Sequence, residues 1–307
     1  MKLIFMGTPE FAVPTLDAVI AAGHNVAAVF TQPDKPAGRG QKLTPPPVKV
    51  RALELGLPVY QPVSIKRDEE VQALIENIGA DCIVVAAYGK LLPQRVLDAA
   101  THGCFNVHSS LLPKYRGAAP INWAVINGEK ESGVTIMKLD IGMDTGDILI
   151  RQKTDIGENE TAGELHDRLA VMGAGLLTEA LVMAENGTLE PIKQDDAFAC
   201  MAPMLDKSLA VIDWSRPAQE IHDLVRGLQP WPVALTMLDG KRLKIHRTTV
   251  EPDMSGSAGE ILSQKPFIAA CGSGALRILE LQGEGGKRMS AEDYLRGHPV
   301  TEGTILG

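Results

Sequence analysis

The sequence has few of the features that mark metal, redox or membrane proteins. Its four cysteines, at positions 82, 104, 200 and 271, are too far apart to form a Cys-x-x-Cys metal or dithiol pair. No apolar run approaches the ~18 residues that a membrane span requires. Residues 1–7 reach a glycine too early for the apolar region of a signal peptide. We therefore expect a cytoplasmic protein with reduced thiols, no metal and no membrane partner.

Motifs for nucleotide binding and for common hydrolytic chemistry are also missing. The first predicted strand ends in Gly7-Thr8-Pro9-Glu10 rather than in G-x-G-x-x-G. Thr8 and Pro9 instead predict the N-cap and the first position of a helix. The motifs G-x-x-x-x-G-K-[ST], H-E-x-x-H and G-x-S-x-G do not occur either. These absences argue against a dehydrogenase and against a P-loop enzyme.

The charge balance is acidic, but it is uneven along the chain. The formal net charge is −8, from 30 Lys+Arg against 38 Asp+Glu, which by itself argues against a nucleic-acid partner. Residues 1–205 carry 18 cations and 25 anions, whereas residues 206–307 carry 12 and 13. Within the acidic first part, a basic segment at 34–51 holds one anion and five cations, Lys35, Arg39, Lys42, Lys49 and Arg51. This segment leaves room for local, salt-sensitive contact with nucleic acid.

Short apolar runs alternate with helix-type patterns in the first half of the chain. The predicted strands are residues 2–7, 25–32, 58–61, 82–87, 103–108 and 133–139. Strands separated by helices imply parallel pairing. The pattern therefore predicts an α/β fold with a Rossmann-like, doubly wound, mainly parallel sheet.

The pattern changes after a long predicted helix. That helix begins at the capping-box pair Thr161 and Glu164 and stops at Asn186-Gly187. Residues 188–205 lack periodicity and contain two prolines, and beyond them short apolar runs broken by glycines indicate a β-rich domain. We therefore predict a first domain over 1–187, a linker over 188–205 and a smaller β-rich domain over 206–307.

Asn106 and His108 stand at the end of a predicted strand. Side chains two positions apart on a strand share a face, and open parallel sheets bind ligands at the carboxyl ends of their strands. The amide can donate a hydrogen bond to a developing oxyanion, and the imidazole can exchange a proton near neutral pH. A carboxylate from the turn with Asp140, Asp144 and Asp147 would complete a trio suited to acyl transfer. The pattern does not choose among the three aspartates, and an isolated Asn-x-His pair also fits side chains satisfied by backbone hydrogen bonds.

Longer segments resemble a known family. They are residues 30–40 (FTQPDKPAGRG), 106–121 (NVHSSLLPKYRGAAPI), 133–137 (GVTIM), 143–148 (MDTGDI) and 229–232 (QPWP). The Asn-x-His and Asp-Thr-Gly-Asp motifs are similar to those of 10-formyltetrahydrofolate-dependent formyltransferases in general. The Pro-Ala-Gly-Arg-Gly loop and the C-terminal extension resemble, within that group, the methionyl-tRNA formyltransferases.

The resemblance implies roles for particular residues. It implies a catalytic trio of Asn106, His108 and Asp144, and it leaves Asp140 and Asp147 to shape the turn. It also implies a pocket for 10-formyltetrahydrofolate, used as a formyl-donor co-substrate without a metal. That pocket would be formed by Ser110, Leu111, Leu112, Pro113, Ala86, Tyr88 and Gly89. The C-terminal domain is expected to be an OB-like barrel that binds tRNA.

Cations in two places are the expected contacts with methionyl-initiator tRNA. Arg39 matches a loop arginine that family members use on the tRNA acceptor end, and Lys42 follows in the same loop. In the second domain, four cations follow an Asp-Gly turn in a predicted β-hairpin, where they could track a phosphate backbone. They are Lys241, Arg242, Lys244 and Arg247. We expect the protein to act as a monomer.

The resemblance predicts an enzyme that formylates methionyl-initiator tRNA for translation initiation. The alternatives are formyl transfer to a small amine such as glycinamide ribonucleotide or an amino-sugar nucleotide, hydrolysis of the formyl-folate, and a non-catalytic RNA-binding protein. The loop at 33–47 and the basic hairpin argue against a small acceptor, since neither would have anything to contact. Only six phenylalanines, three tryptophans and four tyrosines are present, which is poor for an RNA-binding module that stacks on bases.

Overall fold

The computed structural model describes residues 1–37, 40 and 42–307, and these residues form two compact units. Arg39, a predicted tRNA contact, lies outside the described residues. Unit 1 comprises Met1–Pro120, Ser132–Thr154 and His166–Ala202. Unit 2 comprises Ile121–Glu131, Asp155–Leu165 and Pro203–Gly307. Each unit is assembled from separate stretches of the chain, and the domain boundaries drawn at 187 and 206 stay a prediction.

The regular elements follow one another along the whole chain. Up to residue 202 they are β1 Lys2–Gly7, α1 Val13–Ala21, β2 Asn25–Phe30, β3 Lys35–Ala37, β4 Lys42–Thr44, α2 Pro47–Glu54, β5 Val59–Tyr60, α3 Glu69–Ile78, β6 Cys82–Ala86, α4 Gln94–Leu97, β7 Cys104–His108, β8 Arg116–Gly117, α5 Pro120–Ile126, β9 Glu131–Lys138, β10 Ile148–Asp155, α6 Ala162–Glu185 and β11 Met201–Ala202. After it come α7 Ala218–Gly227, β12 Ala234–Leu238, β13 Lys241–Glu251, β14 Ile261–Gln264, β15 Phe267–Ala270, β16 Ala275–Gly283, β17 Met289–Ser290 and α8 Ala291–Gly297. Within the described residues, no helix is long and apolar enough to cross a membrane.

The described part of unit 1 is built around a seven-stranded sheet with the order β10-β9-β7-β6-β1-β2-β5. β1 pairs in parallel with β2 and β6, β6 with β7, and β2 with β5. This confirms the predicted Rossmann-like, mainly parallel sheet. β9, however, runs antiparallel to β7. An apolar run predicts a strand but carries no information on its direction, so the sequence pattern could not reveal this pairing.

Two helix starts compare differently with the sequence patterns. The capping box at the start of α6 is confirmed, since Glu164 N donates to Thr161 Oγ1 at 3.2 Å and Thr161 N donates to Glu164 Oε2 at 2.8 Å. Thr8 does not cap α1, which begins only at Val13 after a short 3-10 turn. Its hydroxyl instead donates to the Tyr88 carbonyl at 3.2 Å, so it ties the end of β1 to the loop after β6.

Unit 2 is built around an antiparallel sheet, which confirms the predicted β-rich C-terminal part. Its described strands follow the order β12-β13-β16-β15-β14, with β17 paired to β16. At one edge, Gly303 N donates to the Ile261 carbonyl at 2.9 Å, and at the other, Gly307 N donates to the Met237 carbonyl at 3.1 Å. The C-terminal residues therefore connect the two edge strands and give the sheet a barrel-like closure.

Two oppositely charged residues of α7 in unit 2 form a buried ion pair. Asp223 and Arg226 are each 4% exposed, and Arg226 Nε donates to Asp223 Oδ1 at 2.7 Å. Arg226 also donates to the carbonyls of Gly157 and Glu160, at 3.3 and 3.1 Å. Both charges are thus paired and hydrogen-bonded, which is the condition for burying them at tolerable cost.

His222 directly precedes Asp223 on α7 and is 3% exposed. Its Nε2 lies 3.2 Å from the Glu158 carbonyl, and its Nδ1 lies 2.9 Å from Thr248 Oγ1. The carbonyl can only accept, so Nε2 carries the hydrogen and Nδ1 accepts from the hydroxyl. Burial lowers the pKa of His222, and the nearby Arg226 lowers it further.

Candidate active site

Asn106 and His108 lie on one face of β7 at its carboxyl end and are 9% and 5% exposed. Val107 points to the other face, where a Cβ built on Gly173 of α6 would lie 2.6 Å from its Cγ1. Cys104 shares the face of the pair and belongs to the apolar core. The core therefore gives way to an amide and an imidazole where the strand ends.

The two ring nitrogens of His108 have different partners. Nε2 lies 3.0 Å from the carbonyl oxygen of Tyr115, and since a carbonyl only accepts, Nε2 carries the hydrogen. Nδ1 lies 3.7 Å from Asp144 Oδ2, which is beyond hydrogen-bond distance. The ring is thus held through Nε2, and Nδ1 is the nitrogen that faces a carboxylate and can gain or lose a proton.

The carboxylate of Asp144 is held by a backbone amide. Gly117 N donates to Asp144 Oδ2 at 2.9 Å, and the side chain is 15% exposed. Asp144 has a φ of +54°, in the left-handed region that costs a residue with a Cβ roughly 1–2 kcal/mol. Such a conformation persists only where the surroundings hold it.

The other two aspartates of this turn make local contacts. Asp140 Oδ1 accepts from Gly142 N at 3.0 Å and from Thr145 Oγ1 at 2.7 Å, so it shapes the turn. Asp147 contributes its carbonyl, which accepts from Lys138 N at 2.9 Å. Residues 1–37, 40 and 42–307 contain no group of three His, Cys, Asp or Glu side chains placed to hold a metal.

The segment after β7 carries the predicted folate contacts. Ser110 Oγ donates to a backbone carbonyl four residues on, at 2.6 Å, and Leu112 is fully buried. Thr135 links the two, since its hydroxyl donates to the Ser110 carbonyl at 2.7 Å and accepts from Leu112 N at 3.1 Å. Leu111 and Pro113 are half-buried. This segment therefore presents backbone groups and two apolar side chains.

The end of β6 lies beside the end of β7, because Ala86 pairs in register with Val107. The ring of Tyr88 packs in the apolar core, where burial raises the pKa of Tyr88 to about 12. Its hydroxyl has no hydrogen-bond partner among the described residues. The carbonyls of Tyr88 and Gly89 accept from Gln32 Nε2 at 3.0 and 3.1 Å. Tyr88 can therefore meet a ligand at the strand end only through its backbone.

Sequence reasoning missed the residues that hold this arrangement. Tyr115 and Gly117 act through backbone atoms, and Thr135 is a fully buried residue of β9 opposite His108. The only signal for these three was that they lie in segments that resemble a known family. Gln194, which contacts the Asp144 main chain, lies in the predicted linker, where nothing in the composition marks it.

The cations of the first basic segment do not all remain available. Lys49 pairs with Asp34 at 2.8 Å, and Arg51 pairs with Asp17 at 2.8 Å. Lys42 is exposed on β4, which pairs antiparallel with β3. Two of the five cations are thus neutralised within the chain.

The cations of β13 divide in the same way. Three of the four predicted contacts are exposed, namely Lys241, Arg242 and Lys244. Arg247 is paired with Glu164 and lies 3.9 Å from Glu280. Its charge is largely compensated inside unit 2, and this separates it from the other three.

Comparison with known proteins decides the family. The profile of the formyl transferase family matches residues 1–181, and that of the formyl transferase C-terminal domain matches residues 204–299. The chain belongs to the formyl transferase family. A methionyl-tRNA formyltransferase of Geobacter metallireducens is 52% identical over 309 residues, which cover 100% of this chain and 99% of that protein. One of Clostridium novyi is 50% identical and covers 100% of both chains. The resemblance noted from the sequence motifs is thereby confirmed.

Solved structures of other proteins show the same fold at low identity. An N-formyltransferase of Helicobacter canadensis, in complex with folinic acid and dTDP-3-aminofucose, aligns with a TM-score of 0.69 at 20% identity over 91% of this chain and 99% of that chain. HypX of Aquifex aeolicus, in complex with tetrahydrofolic acid, aligns with a TM-score of 0.67 at 17% identity over 98% of this chain and 48% of that one.

Proposed function

We propose that this protein transfers the formyl group of 10-formyltetrahydrofolate to the α-amino group of methionyl-initiator tRNA, in the cytoplasm. The observation that carries the proposal is the buried His108 at the end of β7, with Nδ1 directed at Asp144. The full-length similarity to proteins named methionyl-tRNA formyltransferase supports the choice of acceptor.

The chemistry of the strand ends fits a flat, amide-like ring system such as that of a folate. The loop after β6 exposes Ala87 and Gly89, with φ values of +45° and +78° that turn its backbone away from strand geometry. The neighbouring segment offers the half-buried Leu111 and Pro113. Backbone polar groups beside apolar side chains suit such a ligand. When bound, 10-formyltetrahydrofolate supplies a formyl carbon attached to a nitrogen that can leave as a neutral amine.

The protein's own groups have distinct tasks in this reaction. The attacking amine forms a bond to the formyl carbon, and the bond from that carbon to the folate nitrogen breaks. The Asn106 amide donates to the formyl oxygen, where negative charge develops. His108 passes a proton from Nδ1 to the departing nitrogen, because Nε2 is committed to the Tyr115 carbonyl. The carboxylate of Asp144 faces Nδ1 at 3.7 Å, and the proton lost by the attacking amine replaces the one that His108 gives up.

The acceptor is recognised by exposed cations in both units. In unit 1, Lys42 is exposed on β4, which pairs antiparallel with β3, and Arg39 lies between those strands in the sequence. In unit 2, the exposed cations of β13 are suited to track a phosphate backbone. They are Lys241, Arg242 and Lys244, with Arg247 held apart by its acidic partners. We propose that a single copy of the chain is sufficient for this recognition.

One assay tests the proposal against its rivals. The protein is incubated with formyl-labelled 10-formyltetrahydrofolate and methionyl-initiator tRNA, and formyl-methionyl-tRNA is quantified. Parallel reactions replace methionyl-tRNA by glycinamide ribonucleotide or an amino-sugar nucleotide as the acceptor. The controls without an acceptor amine contain deacylated tRNA or buffer alone. Label that appears only on methionyl-tRNA supports the proposal. Label on a small amine, release of free formate, or tRNA binding without transfer would each establish one of the alternatives instead.

A further inference from the structure

We propose that Gln194 is a positioning residue for catalysis. It holds the main chain of Asp144 and thereby sets where the Asp144 carboxylate stands relative to His108. The inference rests on the proposed function, in which those two side chains are catalytic. Gln194 acts on the main chain of the turn rather than on the imidazole or the carboxylate.

The amide of Gln194 is fully committed to the turn that carries Asp144. Its Nε2 donates to the carbonyl of Asp144 at 2.9 Å and to the carbonyl of Gly146 at 2.7 Å. Its Oε1 accepts from Arg116, from Nε at 3.1 Å and from Nη2 at 2.8 Å. A guanidinium only donates and a carbonyl only accepts, so the amide has one possible orientation here.

Arg116 holds the Gln194 amide through its oxygen. Its side chain is buried, and its Nη2 donates to Asp196 Oδ1 at 2.8 Å as well as to Gln194. Its backbone N donates to the Cys200 carbonyl at 2.9 Å. The segment around Gln194 is therefore attached to β8 through a side chain and through the main chain.

The residues on either side of Arg116 reach both catalytic side chains. The Tyr115 carbonyl accepts from His108, and Gly117 N donates to the Asp144 carboxylate. Residues 115–117 therefore link His108 to the carboxylate of Asp144 through hydrogen bonds. Gln194 adds a second link, from the Arg116 side chain to the main chain of Asp144.

These hydrogen bonds stabilise a left-handed backbone conformation at Asp144. At a φ of +54° its main chain is held on one side by the Gln194 amide, and its carboxylate is held on the other side by Gly117. Without the Gln194 donor, the turn can relax toward a more favourable φ. The distance between the Asp144 carboxylate and His108 Nδ1 would then change, although neither residue has been substituted.

The variant Gln194→Glu isolates this role. A glutamate keeps the contact with Arg116 but cannot donate to the two carbonyls of the turn. We expect kcat to fall roughly 10- to 100-fold, the size of effect that follows from small misplacements in active sites. We expect the KM values for the donor and for the tRNA to change by less than about 3-fold, because ground-state contacts are retained. Glu190→Gln, an exposed position in the same segment, is the matched control and should resemble the wild type.

A second background separates positioning from a general structural role. In Asp144→Asn the carboxylate charge is already absent, so adding Gln194→Glu should reduce kcat by less than about 2-fold further. Thermal unfolding of every variant checks that it is folded. If Gln194→Glu does not fold, Gln194→Met, which also lacks the donor, takes its place in both backgrounds.

The outcomes are distinguishable. A wild-type kcat for Gln194→Glu, or a full and independent loss in the Asp144→Asn background, would overturn the positioning role while leaving the proposed function intact. A wild-type kcat for Asp144→Asn alone would overturn the catalytic role of Asp144 and, with it, this inference.

Discussion

Two of the buried histidines, one in each unit, are held by closely similar contacts at one ring nitrogen and differ at the other. His108 in unit 1 and His222 in unit 2 each direct Nε2 at a backbone carbonyl, of Tyr115 and of Glu158. The Nδ1 of His222 is satisfied by the Thr248 hydroxyl at 2.9 Å. The Nδ1 of His108 has a carboxylate at 3.7 Å, too far for a hydrogen bond.

The difference shows how a structural histidine can be told from a catalytic one. Burial alone does not separate them, because both side chains are almost completely covered. Both ring nitrogens of His222 are hydrogen-bonded within the protein, so neither is available to a substrate. Burial also lowers the pKa of His222, which favours the neutral ring. A ring held by one nitrogen, with the other facing an anion, is positioned for proton transfer.

The largest expected effect belongs to His108→Ala. Turnover should fall by roughly 10²–10⁴-fold, since general acid–base help of this kind is removed. Folate binding should be largely retained, because the predicted donor contacts are mainly backbone groups. Steady-state formylation and a separate donor-binding titration measure the two quantities.

The matched control for that variant is His222→Gln. It should keep the turnover of the folded protein near the wild-type value while it lowers the melting temperature. Near-wild-type turnover in His108→Ala, or an equal loss in both variants, would break the distinction between the two histidines.

The second effect concerns stability rather than rate. Arg226→Met leaves the carboxylate of Asp223 buried without its partner, which is expected to cost about 3–5 kcal/mol in the free energy of unfolding. Chemical denaturation measures it. The same substitution at Arg296, in an exposed ion pair of α8, should cost less than about 1 kcal/mol. Equal costs at the two sites would contradict the structural role assigned to the buried ion pair of α7.

The third prediction sharpens the contrast between a buried reaction centre and an exposed binding surface. Neutralising Lys241, Arg242 and Lys244 together should raise the KM for tRNA and leave kcat unchanged. The slope of log KM against log salt should decrease by up to about 3, roughly one for each phosphate that the variant no longer neutralises. Adding Arg247→Gln should change that slope little further, since Arg247 is already paired with Glu164.

Measurement of KM across salt concentrations decides this prediction. An unchanged KM and salt slope for the variant with all four cations neutralised would remove β13 from the tRNA-binding surface. A large effect of Arg247→Gln alone would show that its intramolecular pairing is given up on binding.

The smallest expected effect is a pH dependence of stability. Because burial lowers the pKa of His222, the unfolded chain binds its proton first as the pH falls below about 6.5. Stability therefore decreases below that pH, at up to about 1.4 kcal/mol per pH unit for one proton. His222→Gln should be less stable at pH 8 and should lack this part of the decrease. Parallel stability curves for the two proteins between pH 8 and pH 5 would contradict the assignment.

The sequence predicted elements wherever a local pattern was strong. The strand at β6 was predictable because every residue in it is buried and apolar, and the start of α6 because Thr161 and Glu164 make a local capping box. β10 was not predicted, because most residues in its C-terminal half are exposed and polar and form no apolar run. Thr8 was misassigned as a helix cap because its true partner, Tyr88, is 80 residues away in the chain.

The candidate site divides along the same line. Asn106 and His108 were predictable as neighbours from strand alternation, and the family resemblance selected Asp144 among three aspartates. The residues that hold them were not predictable from pattern. Gly117 acts through an amide that every non-proline residue has, and Gln194 acts on a turn about 50 residues earlier in the chain.

The sequence by itself thus determined the mainly parallel sheet, the β-rich second part and the polar pair at the end of β7. These follow from periodicities that span only a few neighbouring residues. The tertiary structure alone decided which nitrogen of His108 is free to exchange a proton, that Arg247 is neutralised while its neighbours on β13 are exposed, and that Gln194 supports Asp144. The physical reason is that each of these outcomes depends on hydrogen bonds and ion pairs between segments distant in the chain, which no local pattern encodes.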